Sequence, residues 1–365
     1  MSIGSFVDYQ IQLSNTLGKT DDTMLVVYTV SDRLPEEHLK NIGEGIKMDV
    51  LSRSGPIYQP ATFIRLLHSY RAVLRDINKF QPDIVHFQIG SPILAFFYPF
   101  LRRYRRVTTF HDVIAHPGEG KRWESLLMKY MRRSSDRILV HGEKLKQMMI
   151  EMDSSFQGRV HSIPIGPHNI EPFMIHARDD LEEETGRVLF FGRIHEYKGL
   201  EYLIKAEPLI TKEIPEARIV IAGTGEDFRK YEDMMVNKDH FIVYNHHIPY
   251  KEGAEIFQKC SLVALPYSDA SQSGVISTAY GFKKPVVVTD VGALAESVDD
   301  GVTGLIVPPR DPQALADAII RLLKDDVLRK RMGENAYRKL NTDMSWDRIV
   351  GMTGEVYRQS LNSRN

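Results

Sequence analysis

The sequence predicts an α/β protein of two Rossmann-like domains facing a cleft, each a parallel sheet covered by helices. Three observations carry this reading. Short apolar runs alternate with helical stretches along the whole chain, polar or glycine-containing turns follow the runs, and 365 residues exceed what one ordinary core accommodates. In open sheets of this kind, ligands bind beyond the carboxyl ends of the strands.

Near the start, Gly4 and Ser5 form a turn. Phe6, Tyr9, Leu13 and Leu17 then make a helical stripe that ends at Gly18. This reads as the loop and helix after a first strand, but only Met1–Ile3 precede the turn, so that strand is expected to be missing. TMLVVYTV (23–30) is a buried strand and 63–80 a helix broken at Gln81-Pro82. DIVHFQ (83–88), VTTFHD (107–112) and RILVH (137–141) are further strands; the helix KLKQMMIEM and the run VHSIPIG (160–166) close this half. The next stretch is rich in proline and charge and lacks periodicity, as a linker does.

The second half repeats the order with RVLFF, ARIVIAG, FIVY, SLVALP, PVVVTD and GLIVPP as six strands. Asp311 caps a helix that has Pro312 in its first turn and Leu315, Ala318, Ile319 and Leu322 on one face. These spans predict a first domain over 1–168, a linker over 169–186, a second domain over 187–345 and a C-terminal helix over 346–365 returning toward the first domain.

Composition narrows the function. A net charge of -1 gives no basic bias, so nucleic-acid binding is not favoured. The single cysteine, Cys260, excludes an intramolecular disulfide, suits a reducing compartment and reads as a small core residue. No run of about 18 apolar residues and no basic-then-apolar leader is present, so a cytoplasmic protein is expected. The segment 89–106 joins an aromatic apolar run to four arginines. It could dock on anionic lipid heads, or form a half-buried helix with a solvated end.

The chemistry centres on FFGRIHEYKG (190–199), where Arg193 and Lys198 follow a buried strand and a turn at Gly192. Two fixed cations at a strand's carboxyl end suit a diphosphate. In SQSGV, Gln272 and Ser273 precede Gly274 and Val275 at a helix start, whose free N–H groups and dipole favour an anion. Gly223 in AGTGED, the NHHIP loop with Ile248, and the GALAE loop end other strands. A G-x-G-x-x-G fingerprint, C-x-x-C, H-E-x-x-H, a P-loop and a G-x-S-x-G elbow are all missing, so no redox cofactor, metal site or hydrolase elbow is expected. His111 follows a first-domain strand. It could position or deprotonate an acceptor hydroxyl, or simply be a loop histidine bonded to backbone. His86 and His116 are weaker candidates.

FGRIHEYKG, IVIAGTGE and the run from LVALPYSDASQSGV to GLIVPP resemble, in order, the second domain of GT-B-fold glycosyltransferases of family 4, group 1 type. The first half resembles it more thinly, through Gly4-Ser5, PDIVH, TFHD and IPIG. The resemblance implies a retaining, metal-independent transfer from a nucleotide-sugar donor to a glycan or glycolipid acceptor. Arg193 and Lys198 would hold the diphosphate, and no separate cofactor is needed. It also implies an E-x7-E pair, which here falls on Ala270 and Thr278, neither of them acidic. Gln272, Ser273, the amides of Gly274 and Val275, and Thr278 are then candidates for donor contacts, with Gly4 and Ile248. A nucleotide-sugar epimerase and a non-catalytic sugar-nucleotide-binding partner are the competing readings.

Overall fold

A computed structural model describes residues 2–3, 7–21, 23–29, 42–44, 46–52, 59–89, 92–113, 122–167 and 170–362. Gly4 and His116 lie outside them. The chain divides into two compact units, Met1–Gly166 with Trp346–Asn365, and Pro167–Ser345.

The first unit begins with β1 (Ser2–Ile3), which pairs in parallel with β2 (Met24–Thr29) through Ser2↔Val27 and Ile3↔Tyr28. The first strand is therefore present, contrary to expectation: Ser2 and Ile3 suffice for two ladder positions. α1 (Val7–Leu17) links these strands. β3 (Lys47–Ser52) and α2 (Pro60–Phe80) lead into β4 (Ile84–Ile89), β5 (Arg105–Phe110), α3 (Arg122–Ser134), β6 (Arg137–Val140), α4 (Glu143–Met152) and β7 (Val160–Ser162). Hydrogen-bonded orders are β1-β2-β3 and β4-β5-β6-β7, all parallel, and β1 lies beside β4. The strands thus run 3-2-1-4-5-6-7, with the reversal of a doubly wound sheet between β1 and β4. The segment 89–106 is not one helix. A 3-10 turn over Pro92–Phe97 buries Leu94 and Phe97, and two of the four arginines already belong to β5.

The second unit contains α5 (Glu171–Met174), β8 (Arg187–Phe191), α6 (Leu200–Glu213), β9 (Arg218–Ala222), α7 (Arg229–Glu232), β10 (Phe241–Tyr244), α8 (Tyr250–Lys259) and β11 (Leu262–Leu265). It continues with α9 (Gly274–Gly281), β12 (Val286–Thr289), β13 (Gly304–Val307), α10 (Pro312–Lys324) and α11 (Asp326–Asn341). Its sheet is ordered β10-β9-β8-β11-β12-β13, all parallel. Alternate residues feed two cores: Val188, Phe190, Ile219 and Ile221 on one face, Leu189, Val220, Val263 and Leu265 on the other. The order reverses between β8 and β11, whose carboxyl ends are the expected ligand edge.

The stretch expected to be a free linker is part of this unit. Phe173 is 6% exposed, with its ring 5.8 Å from Phe257 and 5.1 Å from Tyr250, and Ile170 covers Gly281. Two apolar anchors in an otherwise aperiodic sequence fix it. The last helix, α12 (Trp346–Asn362), belongs to the first unit, where Ile349 and Val356 join Tyr9, Leu13, Val107 and Leu139 in one core. Gly166 is required beside it, since a Cβ there would stand 2.5 Å from the Trp346 ring. Among the described residues no helix is long and apolar enough to cross a membrane.

Candidate functional site

In the second unit, three loops at the carboxyl ends of β8, β9 and β11 are knitted into one body. Gly192 leaves β8 at φ 117° and Gly223 leaves β9 at φ 149°. A Cβ on Gly223 would lie 1.8 Å from the Gly192 carbonyl oxygen, and one on Gly225 would lie 1.9 Å from that of Ile194. The Ile194 N–H donates to Thr224 O at 3.0 Å, and the Glu226 N–H donates to Ile194 O at 2.9 Å. The glycines of AGTGED therefore serve a close approach of two backbones. On the other side, a Cβ on Gly199 would meet Pro266 O at 1.9 Å, and the Ser268 N–H donates to Tyr197 O at 2.8 Å.

This frame carries both cations. Arg193 is exposed and makes no ion pair or side-chain hydrogen bond among the described residues. Lys198 is half-buried, and its Nζ stands 3.8 Å from the ring centroid of Tyr267 and 5.1 Å from that of Tyr197. Ser273 caps α9, its Oγ accepting the Val275 N–H at 3.4 Å, and the Val275 side chain reaches the Gly192 turn. The structure thus gathers Gly192, Arg193, Lys198, Ser273, Gly274 and Val275 around the β8–β11 reversal. Cations beside a helix amino terminus attract an anion. Gln272 Oε1 is shielded from solvent without a hydrogen-bond partner among the described residues, which marks it as able to receive a ligand hydroxyl.

Other expected positions lie apart. Thr278 is 3% exposed and its hydroxyl donates back to Gly274 O at 3.3 Å, so its polar atom is spent inside the helix. Ile248, in the loop after β10, packs near Gly253, and β10 stands two strands away from β8. His246 pairs with Glu252 at 2.9 Å. Among the described residues no group of three or more His, Cys, Asp and Glu side chains is placed to hold a metal ion. Tyr267, buried beneath Lys198, was not singled out by sequence reasoning: nothing in the run LPYSD distinguishes a supporting tyrosine from an exposed one.

In the first unit, His111 is fully buried rather than presented on a loop. Its Nε2 lies 2.9 Å from Gln88 Oε1 and its Nδ1 lies 3.2 Å from His141 Nε2. The amide oxygen only accepts, so His111 Nε2 donates and Nδ1 takes the proton of His141. Both nitrogens are occupied, which leaves none for an acceptor hydroxyl in this arrangement. The same network continues through Gln88 to His86 Nε2 at 3.2 Å, while His86 Nδ1 meets Tyr357 Oη of α12 at 2.7 Å.

Burial, reinforced by the nearby His141, lowers the His86 pKa from 6.5 to about 3. The unfolded chain therefore binds this proton first. The stability His86 contributes is intact above pH 6.5 and is lost progressively as pH falls toward 3. Thermal unfolding between these limits should show this slope, flattened in His86→Gln; an equal slope in the variant would contradict it.

A model of the glycosyl transferases group 1 matches residues 185–325, and one of Glycosyltransferase Family 4 matches residues 9–166. The chain is a member of the family 4, group 1 glycosyltransferases. Alpha-D-kanosaminyltransferase of Streptomyces kanamyceticus is 31% identical to this family 4 protein over 191 residues, 49% of each chain. D-inositol 3-phosphate glycosyltransferase of Corynebacterium glutamicum is 31% identical over 191 residues, 50% of this chain and 45% of that one. The chain thus spans about half the length of these curated relatives. Among solved structures, Anabaena Alr3699/HepE in complex with UDP-glucose superposes with a TM-score of 0.68 at 16% identity, covering 98% of this chain and 96% of that one. The fold of the family 4 chain is that of the GT-B glycosyltransferases.

Proposed function

We propose that this family 4 chain is a hexosyltransferase-type enzyme that moves a sugar from a nucleoside-diphosphate sugar to a glycan or lipid-linked acceptor. One observation carries the reading: the loop after β8 brings an exposed Arg193, without an ion pair among the described residues, and a Lys198 held by aromatic rings beside the capped start of α9. Breaking the sugar–phosphate bond places negative charge on the departing diphosphate. Preorganised cations and amide dipoles stabilise that charge where it develops. The UDP-glucose held by a protein of the same fold supports a donor of this class.

The two cations neutralise the leaving group in this reading without a metal ion, so transfer should survive a chelator. The glycosyl configuration is retained, with the leaving phosphate helping to take the acceptor's proton, and no proton transfer is assigned to His111. A thermal-shift panel of UDP-, GDP-, ADP- and TDP-sugars, followed by transfer assays with the stabilising donor, tests the proposal; no stabilisation by any donor would overturn it. The non-acidic Ala270 and Thr278 favour one second reading, a non-catalytic sugar-nucleotide-binding partner, identified by stabilisation without transfer.

The reading also places the protein at the cytoplasmic face of a membrane. Phe96 and Phe100 are 56% and 65% exposed, and Arg102 and Arg103 are exposed beside them. An apolar pair next to guanidinium groups suits anionic headgroups. The protein should float with phosphatidylglycerol vesicles and less with phosphatidylcholine ones, and Phe96→Ser/Phe100→Ser should abolish the difference.

A further inference from the structure

We propose that Tyr267 is a positioning residue for the diphosphate site: its ring carries the Lys198 ammonium, and its hydroxyl leaves Ser273 with a proton to donate to the anion. This rests on the reading of the site as a diphosphate clamp. Tyr267 is 1% exposed and belongs to the β11 loop, whose Pro266 carbonyl is seated against Gly199. Its ring is therefore a fixed surface. Lys198 Nζ lies 3.8 Å from the ring centroid, a cation–π distance. A π face attracts a cation without adding an opposite charge of its own.

The hydroxyl of Tyr267 lies 3.2 Å from Ser273 Oγ, the atom that also accepts the Val275 N–H at 3.4 Å. A serine hydroxyl has two acceptor sites and one proton. With one site on Val275 and the other on the tyrosine proton, the serine proton remains to point at a phosphate oxygen before the helix. Burial pushes the tyrosine up to about 12, against the opposing pull of the Ser273 hydrogen bond and the Arg193 charge, so its proton is present at neutral pH. One buried side chain thus coordinates a cation and a neutral donor that lie far apart in sequence.

The test measures affinity for UDP and for inorganic pyrophosphate by calorimetry, with unliganded thermal unfolding as the folding control. Tyr267→Phe keeps the ring and the packing but removes the proton given to Ser273. It should weaken binding about threefold to tenfold, and the loss should disappear in a Ser273→Ala background. Tyr267→Leu should lose about tenfold or more, shrinking to the phenylalanine-level loss when Lys198 is already alanine. Wild-type affinity in both Tyr267 variants, or losses that simply multiply in the double variants, would overturn the proposal. The clamp reading itself fails separately, if Lys198→Ala and Arg193→Ala bind both probes as wild type does or if the wild type binds neither.

Discussion

Arg193→Ala and Lys198→Ala should each slow sugar transfer about tenfold or more, with thermal unfolding unchanged. Arg193 is exposed and unpaired among the described residues, so its removal leaves no buried group without a partner. Lys198 is half-buried, and a neutral side chain there leaves the Tyr267 ring in place. The loss should therefore appear in turnover, because the charge these groups meet grows as the diphosphate departs. Initial rates at saturating donor, beside melting curves of the same preparations, make the comparison. A purified double variant that transfers at the wild-type rate would sink the clamp.

The second large effect is on folding. Glu183 bonds Lys284 Nζ at 2.8 Å and Arg329 Nη2 at 2.9 Å, and the Arg329 side chain is 2% exposed. Asp326 and the Leu322 carbonyl complete the guanidinium's partners. Burial acts to raise the Glu183 carboxyl, but Lys284 and Arg329 outweigh it and hold the pKa below the ordinary 4.5. Its contribution is therefore present above the carboxylate range and lost as pH falls through it. Glu183→Ala leaves a buried guanidinium and ammonium short of charge and should cost about 3–5 kcal/mol. Arg329→Met, which removes the buried charge along with its bond, should cost less. Urea unfolding reads both. A loss near the roughly 0–1 kcal/mol of a surface pair in Glu183→Ala would contradict the assignment.

The two units and the loop that carries Arg193 and Lys198 were legible because their signals are local. VLFF and VIA announce fully buried strands by unbroken apolar runs, and a strand followed by glycine and cations places those cations at the sheet's edge. β3 escaped notice because KMDVLS interrupts its apolar residues with Lys47 and Asp49. The supposed linker escaped because Ile170 and Phe173 are isolated anchors whose partners Gly281 and Phe257 lie far along the chain. The two readings of His111 were left open for a related reason. Its position after a strand is visible in TFHD, but its engagement with Gln88 and His141 depends on three neighbouring strands. Tyr267 illustrates the limit, since a supporting side chain is defined by what rests on it.

The Ala270 carbonyl is seated against Gly292, where a Cβ would stand 1.6 Å from its oxygen, and Ala270 itself is 5% exposed. With Thr278 also enclosed, the two positions of the absent acidic pair are filled by small side chains in a close-packed wall. Glutamates placed at Ala270 and Thr278 would thrust carboxylates into that wall. An acidic side chain at either position therefore requires the loop and its neighbours to be rebuilt.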